Sequence, residues 1–175
     1  PLGAASEDLE SPVLAIPLGA EELAGLAPPP PAPLVRRAGE GRIVIEPCHG
    51  LGNRMRAIAS AAAIARATGR DLVINWRADD HCEAGLGDLF EADCAVTETD
   101  SIDEARARGD LVLDNMETGE GAAKGAPLEL VSGRDAYLRS AYVITHPASH
   151  WVVENAALAA VLRPRADVRA LAPPG

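Results

Sequence analysis

Residues 49–56, His-Gly-Leu-Gly-Asn-Arg-Met-Arg, place an imidazole, an amide and two guanidinium groups around two glycines. The stretch follows an apolar run at residues 42–46 and opens a long alanine-rich segment. A glycine-rich turn that leaves a strand and opens a helix brings backbone N–H groups up to an anion. The spacing therefore predicts a site for phosphate or a similar negative charge; a tight turn that only packs a helix on a sheet is the alternative. The residues predicted to bind are Gly50, Leu51, Gly52, Asn53 and Arg54.

Two side chains of this loop are candidates for chemistry. His49 precedes the glycines, and because an imidazole titrates near neutral pH, it is a candidate catalytic base. A loop residue that makes a structural hydrogen bond is the alternative for His49. Arg54 lies in the first turn of the helix, where a cation is mildly unfavourable. Its guanidinium is therefore expected to meet a ligand phosphate or an acidic side chain, unless it is simply solvated.

The surrounding pattern is typical of an α/β domain. Residues 43–45 form a continuous apolar run, as in a parallel strand buried on both faces. Asn53 is expected to cap the next helix, which ends near Gly69, and residues 72–76 predict a second strand. Further strands are predicted near 94–96, 111–113, 128–131 and 142–145, and further helices at 101–108, 149–162 and 165–171.

These elements predict one α/β, three-layer Rossmann-like domain with a mainly parallel sheet over residues 41–175. Residues 1–40 contain a proline-rich run and are expected to be a linker or a disordered head. The formal net charge of −10 disfavours non-specific binding of nucleic acid, which needs a basic face. No apolar run is long enough to cross a membrane, so no span is expected. The compartment, cytoplasm or secretory-pathway lumen, stays open.

A second group of polar residues follows the second predicted strand, at positions 79–83. Its members are Asp79, Asp80, His81, Cys82 and Glu83. Adjacent side chains rarely point at one ion, and no CxxC or HxxxH spacing completes a shell, so we predict no metal site. His81 and Glu83 are predicted instead to line a cleft that binds an acceptor. Cys82 and Cys94 are either bridged in an oxidising compartment or free thiols.

Three further residues stand at strand ends, where ligands of α/β proteins gather. Trp76 ends the second predicted strand, and Asp114 and Asn115 follow the strand at 111–113. An indole can stack on a sugar or a base, so Trp76 is a cleft-lining candidate, with core packing as the alternative. Asp114 and Asn115 are also cleft-lining candidates, with a turn cap as the alternative.

Residues 50–55 fit the dinucleotide-binding pattern G-x-G-x-x-G only in part. Met55 stands where the third glycine is expected. Asn75 and Trp76 stand where an acidic residue would hold a ribose hydroxyl. A nucleotide-dependent oxidoreductase domain is therefore disfavoured, and binding of NAD(P) would be needed to revive it.

Residues 50–61, GLGNRMRAIASA, resemble the N-terminal signature of fucosyltransferase-type glycosyltransferases. That group includes the protein O-fucosyltransferases and the α-1,2 and α-1,6 fucosyltransferases, where a G-x-G-N-[QR] loop follows the first strand. Residues 72–76, Cys82 and residues 88–90 are also similar to this group, which has a strand ending near Trp, a cysteine-containing loop and a short Leu-Phe turn. The likeness covers residues 42–90.

The resemblance implies a two-domain GT-B enzyme that transfers fucose from GDP-fucose to a hydroxyl of a glycan or protein acceptor, without a metal or cofactor. The sugar nucleotide would lie between the two domains, with Asn53 near the diphosphate or the sugar. The family's second motif, an H-x-R-x-x-D strand that supplies an arginine to the departing phosphate, has no counterpart here. Residues 161–169 resemble the helix and turn that precede that second domain. We therefore expect an N-terminal, acceptor-side half that is inactive alone; a non-catalytic α/β module that binds a glycan or protein is the alternative.

Overall fold

The structure, a computed structural model, describes residues 40–116 and 124–171. Strands and helices alternate along most of the chain, as the apolar pattern predicts. The elements are β1 (Arg42–Pro47), α1 (Leu51–Thr68), β2 (Asp71–Asn75), α2 (Leu86–Leu89), β3 (Phe90–Ala92), β4 (Ala95–Thr97), α3 (Ile102–Arg108), β5 (Leu111–Asp114), β6 (Ala136–Ser140), α4 (Trp151–Val161), β7 (Leu162–Pro164) and α5 (Ala166–Ala170).

Five strands form one parallel sheet in the order β4-β2-β1-β6-β5. The central strand β1 pairs with β2 and β6, so that Ile45 lies opposite Ile74 on one side and Leu138 on the other. Strands β3 and β7 form a separate antiparallel pair. The prediction of an α/β Rossmann-like domain with a mainly parallel sheet is confirmed.

Alternate residues of β1 point into two different cores. Ile43 and Ile45 are fully buried against α1, and α4 packs on the far side of the same helix. Val44 is buried on the opposite face, where it packs with Tyr137 and with Ala105 of α3. The continuous apolar run in β1 therefore reflects burial on both faces of the middle layer.

Helix α1 is buried around most of its circumference. Residues 57–65 are all buried, including the polar Ser60. Ser60 Oγ accepts a hydrogen bond from the Ile144 amide at 2.9 Å and lies 2.6 Å from Ser149 Oγ. The alanines of this helix keep it slim, so the sheet and α4 can both approach closely.

The ends of α1 confirm one prediction and correct another. Gly69 ends the helix in the left-handed conformation, as expected. Asn53 is not the cap, because the helix already begins at Leu51 and its N-cap residue is Gly50. The Asn53 amide donates to the Gly50 carbonyl instead, which places Asn53 inside the first turn.

Two of the later strands predicted from the local pattern are not formed in the structure. Residues 128–131 and 142–145 are not strands; this region contributes only an isolated bridge between Pro127 and Thr145. The strand that joins the sheet is β6, which the sequence analysis missed. The predicted strands near 94–96 and 111–113 and the predicted helices at 101–108, 149–162 and 165–171 are confirmed within about two residues. The proline-rich head, up to residue 39, and most of the glycine-rich segment at 119–125 lie outside the described residues.

No helix in residues 40–116 or 124–171 combines the length and apolarity that a membrane crossing needs. This agrees with the expectation from the sequence.

Gly41 and Gly109 both have a left-handed backbone but differ in the space around them. Gly41 has φ 84°, and a Cβ added there would lie 2.8 Å from the Arg134 carbonyl oxygen. Gly109 has φ 82°, with nothing within 4 Å of such a Cβ. We expect Gly109→Ala to lower the free energy of unfolding by about 1 kcal/mol, from backbone strain alone. Gly41→Ala should lower it by about 2–4 kcal/mol, because the clash with backbone adds to the strain.

Urea denaturation of both variants measures these losses. Equal losses would contradict the close approach of residue 134 to Gly41.

Candidate functional site

The carboxyl ends of the central strands border a cavity of about 340 Å³. From β1 the chain continues to β2 on one side, whereas β6 joins β1 on the other side. The order in which the chain adds strands to the sheet therefore reverses at β1. The cavity is lined by Glu46 of β1, by Arg139 of β6 and by loop residues that include His49 and His81. Parallel α/β sheets bind ligands at such a switch point, outside the carboxyl ends of the strands.

Arg54 ties the loops after β1 and β2 together. Its side chain is fully buried, with Nε 2.6 Å from the His49 carbonyl oxygen and Nη1 2.5 Å from the Arg77 carbonyl oxygen. Nη2 lies 2.8 Å from Asp79 Oδ2, and the guanidinium sits 4.6 Å from the centre of the Trp76 ring. The acidic partner expected for Arg54 is therefore Asp79, and the guanidinium points inward in this structure.

His49 stands in a strained position at the entrance to α1. It has φ 64°, and it is the one non-glycine residue with positive φ in the described part of the chain. Such a conformation costs about 1–2 kcal/mol and persists only where neighbours impose it. The hydrogen bond from Arg54 to the His49 carbonyl does so here. Backbone strain held in place by a buried group is a feature of functional sites.

The imidazole of His49 faces a second imidazole from the loop after β2. The ring centres of His49 and His81 are 5.1 Å apart, and their planes are tilted by 32°. His81 is largely exposed, and its Nδ1 lies 3.9 Å from Asp79 Oδ1. The structure thus brings together the two histidines that the sequence placed in separate motifs.

Asp79 organises the loop that carries His81. Its Oδ1 accepts hydrogen bonds from the amides of His81 at 2.9 Å and Cys82 at 3.1 Å. Although desolvation acts to raise it, the pKa of Asp79 is lowered by these amides together with the Arg54 guanidinium. The carboxylate therefore stays ionised at neutral pH and holds the loop in one shape.

The start of α1 leaves backbone open to a ligand. A Cβ added to Gly52 would meet nothing within 4 Å, so packing does not require a glycine there. The amides of Leu51 and Gly52 have no acceptor among the described residues, as is usual at a helix start. The Asn53 side chain is half-buried and accepts from Arg56 Nη1 at 3.2 Å. This end of the helix offers donors and free space.

A row of charged side chains crosses three strands beside the cavity; the sequence analysis named Asp114 but missed the other two members, Glu46 and Arg139. Arg139 lies between Glu46, whose Oε1 is 3.7 Å from Nε, and Asp114, whose Oδ2 is 3.4 Å from Nη1. Tyr137 donates to Glu46 Oε2 at 2.5 Å, and burial together with this bond raises the Tyr137 pKa. The position of Glu46 beside the site could have been predicted, because it lies at the end of the predicted strand β1. Arg139 could be found only from the alternating pattern of residues 136–140.

The other three cleft-lining candidates, Trp76, Asn115 and Glu83, are not lining residues of this cavity. Trp76 is fully buried in the core and donates from Nε1 to the Ala84 carbonyl at 2.9 Å, so its ring is not open to a ligand in this structure. Asn115 is buried and joins three segments, through Ser140 Oγ at 2.8 Å and the Gly125 amide at 2.7 Å. Glu83 is exposed, and its carboxylate makes no hydrogen bond or ion pair with another described residue.

The cysteines are free thiols. Cys82 and Cys94 are not bridged, which decides between the two alternatives in this structure. Cys48 lines the cavity, and burial together with Glu46 raises its pKa against the opposing effect of Arg139. A thiol with a raised pKa is a poor nucleophile at neutral pH. Among the described residues, no group of three or more His, Cys, Asp and Glu side chains is placed to hold a metal ion.

The arrangement suits proton transfer at a hydroxyl group. Imidazoles, carboxylates and guanidinium groups line one open cavity, and its loops are fixed from below by Arg54. An imidazole near neutral pH accepts a proton from a hydroxyl when it lies within hydrogen-bond reach. The open backbone amides at the start of α1 can meet negative charge on a second substrate.

Asp79 should make the stability of the fold depend on pH in acid. Its pKa is lower in the folded chain than the ordinary 3.8, so its contribution is present above about pH 4 and is lost as the pH falls through the folded pKa. The difference in unfolding free energy between the native chain and Asp79→Asn should therefore shrink as the pH falls below about 4 and through the lowered pKa of Asp79.

Urea denaturation at several pH values measures this difference. Asp80→Asn is the matched control, because Asp80 is exposed and has no ion pair among the described residues. A gap for Asp79→Asn that stays constant with pH would contradict the role of the ionised carboxylate.

Comparison of the chain with models of protein families, with curated proteins and with solved structures finds no match. The likeness of residues 42–90 to fucosyltransferase-type enzymes therefore stays a prediction. The function has to be argued from the side chains at the carboxyl edge of the sheet.

Proposed function

We propose that this chain is the acceptor-side domain of a fucosyltransferase-like glycosyltransferase, which transfers fucose from GDP-fucose to a hydroxyl of a glycan or protein. The observation that carries the proposal is the position of the G-x-G-N-R loop. It leaves β1 at the switch point of the sheet, and the residue just before it, His49, lines the polar cavity. The segment that resembles the family, residues 42–90, supplies β1, α1, β2 and the loop of His81 as one connected unit.

The start of α1 suits the leaving group of such a reaction. Transfer from a nucleoside diphosphate sugar develops negative charge on the diphosphate, and helix-start amides stabilise that charge. The amides of Leu51 and Gly52 are available, and Gly52 leaves room for close approach. The Asn53 side chain stands at the same turn, and among the described residues its hydrogen-bond partner is Arg56.

His49 suits the acceptor side of the reaction. Its imidazole lines the cavity and is partly exposed, so an acceptor hydroxyl can reach it. Removal of the hydroxyl proton by the imidazole makes the oxygen a better nucleophile for the sugar carbon. His81 lies beside His49, and Asp79 fixes the loop of His81.

A non-catalytic module that binds a glycan is the second candidate, and Trp151 favours it. The Trp151 side chain is 70% exposed at the start of α4, where an indole can stack on a sugar ring. For such a module, Trp151→Ala should abolish glycan binding, whereas the variants of the G-x-G-N-R loop should not change it. The oxidoreductase alternative loses support, because Asn75, which stands where an acidic residue would hold a ribose, is fully buried and its Nδ2 donates to Tyr137 and to the Asp100 carbonyl.

Calorimetry with GDP and GDP-fucose tests the proposal. It is done on this chain and on the chain lengthened past Gly175 by its natural sequence. Binding by the longer chain alone supports an acceptor-side half whose nucleotide site needs a second domain. Binding by neither, with the longer protein folded, would overturn the glycosyltransferase proposal.

Asn53→Ala should reduce transfer by about 10²-fold in a protein that shows activity, because one polar contact to the charged transition state is lost. The free energy of unfolding should change little, since Asn53 makes only an exposed contact to Arg56. Asn155→Ala, at an exposed position of α4, is the matched control. Turnover that is unchanged in Asn53→Ala would remove this residue from the site.

Gly52→Ala should separate stability from function. An alanine in the first turn of α1 meets no neighbour and should raise the free energy of unfolding by about 0.5–1 kcal/mol. The same methyl group should weaken donor binding, because it occupies the space beside the free amides. Gly87→Ala is the matched control, since Gly87 holds the same position in α2 and also has open space around its Cβ. A stabilised Gly52→Ala with full donor affinity would show that no ligand approaches this turn.

A further inference from the structure

A second cavity, of about 280 Å³, lies at the opposite, amino edge of the sheet. It is enclosed by the last turns of α1, the start of β2, the turn between β3 and β4 and the end of α4. Most of its walls are apolar, with Ala62, Ala65, Leu72 and Val161 among the lining residues. The two cavities are at different ends of the strands, so this one is separate from the site of the proposed function.

Arg66 of α1 lines this cavity and is partly buried. Its Nη2 atom is buried and has no hydrogen-bond partner among the described residues. No ion pair of Arg66 is present in the described part of the chain. A buried donor without an acceptor is costly, and a charged one more so. An acceptor inside the cavity would remove that cost.

The other arginines of the cavity are already engaged. Arg70 is only 4% exposed, and its Nη1 and Nη2 atoms donate to the carbonyls of Arg134 at 2.5 Å and Val131 at 2.6 Å. The buried Nε of Arg70 has no partner and adds a second donor at this edge. Arg42 is paired with Asp135 at 2.7 Å.

Two carboxylates also line the cavity, those of Asp71 and Asp93. Both residues are exposed, so water screens them more than it screens the buried Nη2 atom of Arg66. The interior of the cavity therefore presents cationic donors next to an apolar wall.

We propose that this cavity binds a small organic carboxylate, with the carboxylate on Arg66 and an aliphatic body against the alanine, leucine and valine side chains. The volume corresponds to about nine water molecules at the density of the liquid, which is the size of a short fatty acid of about six carbons. The apolar walls favour an aliphatic body over a compact inorganic anion, whose whole surface is polar.

Cys94 gives a direct readout, because its thiol lines the cavity. Burial and the neighbouring Asp93 raise the pKa of Cys94 to about 11, so its alkylation is slow enough to be timed. Cys48 lines the other cavity and serves as an internal reference in the same sample. The whole chain is treated with iodoacetamide in the presence of hexanoate, hexanol or inorganic phosphate. Mass spectrometry then measures how fast each cysteine is alkylated.

Hexanoate at about ten times its Kd should slow the alkylation of Cys94 about tenfold and leave Cys48 unchanged. Hexanol and phosphate at the same concentration should have no effect. Equal protection by hexanol would show that the charge is not recognised, and protection by phosphate would show a site for inorganic anions. Either result, or no protection by any of the three, would overturn the proposal.

Arg66→Met identifies the group that recognises the carboxylate. The variant should weaken hexanoate protection by about tenfold or more, because a charged hydrogen bond is lost. Its melting temperature should be at least that of the native chain, since an unpartnered charge is removed. Arg169→Met, at an exposed helical position with no ion pair among the described residues, is the matched control. Protection that is unchanged in Arg66→Met would overturn the assignment, and the comparison of hexanoate with hexanol on the native chain tests the proposal without any variant.

Discussion

The buried guanidinium of Arg54 is the interaction on which the candidate site depends. A charge without contact with water needs acceptors for its donors, and this one finds the carbonyls of His49 and Arg77 and the carboxylate of Asp79. Those acceptors belong to the loops after β1 and β2, so the need to satisfy one charge fixes two loops at once. The left-handed backbone of His49 is held by the same contact, and this is how the strain can persist.

The rest of the fold makes this burial feasible. Helix α1 carries Arg54 and lies between the sheet and α4, so that nearly every residue from 57 to 65 is buried. Only small side chains allow two layers to approach a helix so closely, which accounts for its alanines. Strand β1 is buried on both faces and ends directly under the loop of His49. The loop of His49 is therefore anchored at one end by a buried strand and at the other by a buried helix, which leaves it little conformational freedom.

Much of this fold follows from local sequence, and the failures have a common cause. Residues 43–45 and the left-handed Gly69 are determined by hydrophobic runs and by local backbone preference, and both are predictable. Strand β6 is determined by pairing with β1, across more than ninety residues, and its short alternating sequence gives no comparable local signal. The inward direction of Arg54 and the burial of Trp76 depend on packing partners from other loops. Such partners become visible only when the chain is folded, so the site could be located but not assembled from sequence.

The two edges of the sheet show why net charge does not decide what this chain binds. The formal charge is −10, yet the field at short range is set by individual pairs. At the carboxyl edge, Arg54 is matched by Asp79, and Arg139 lies between Glu46 and Asp114. Recognition there has to rest on hydrogen bonds and shape, because little charge is left unbalanced. At the amino edge, the buried Nη2 of Arg66, which belongs to the same helix as Arg54, has no such match in the described part of the chain. Helix α1 thus carries a paired arginine, Arg54, in its first turn and an arginine without such a partner, Arg66, near its last turn. An anion would therefore gain more electrostatic stabilisation beside Arg66 than beside Arg54.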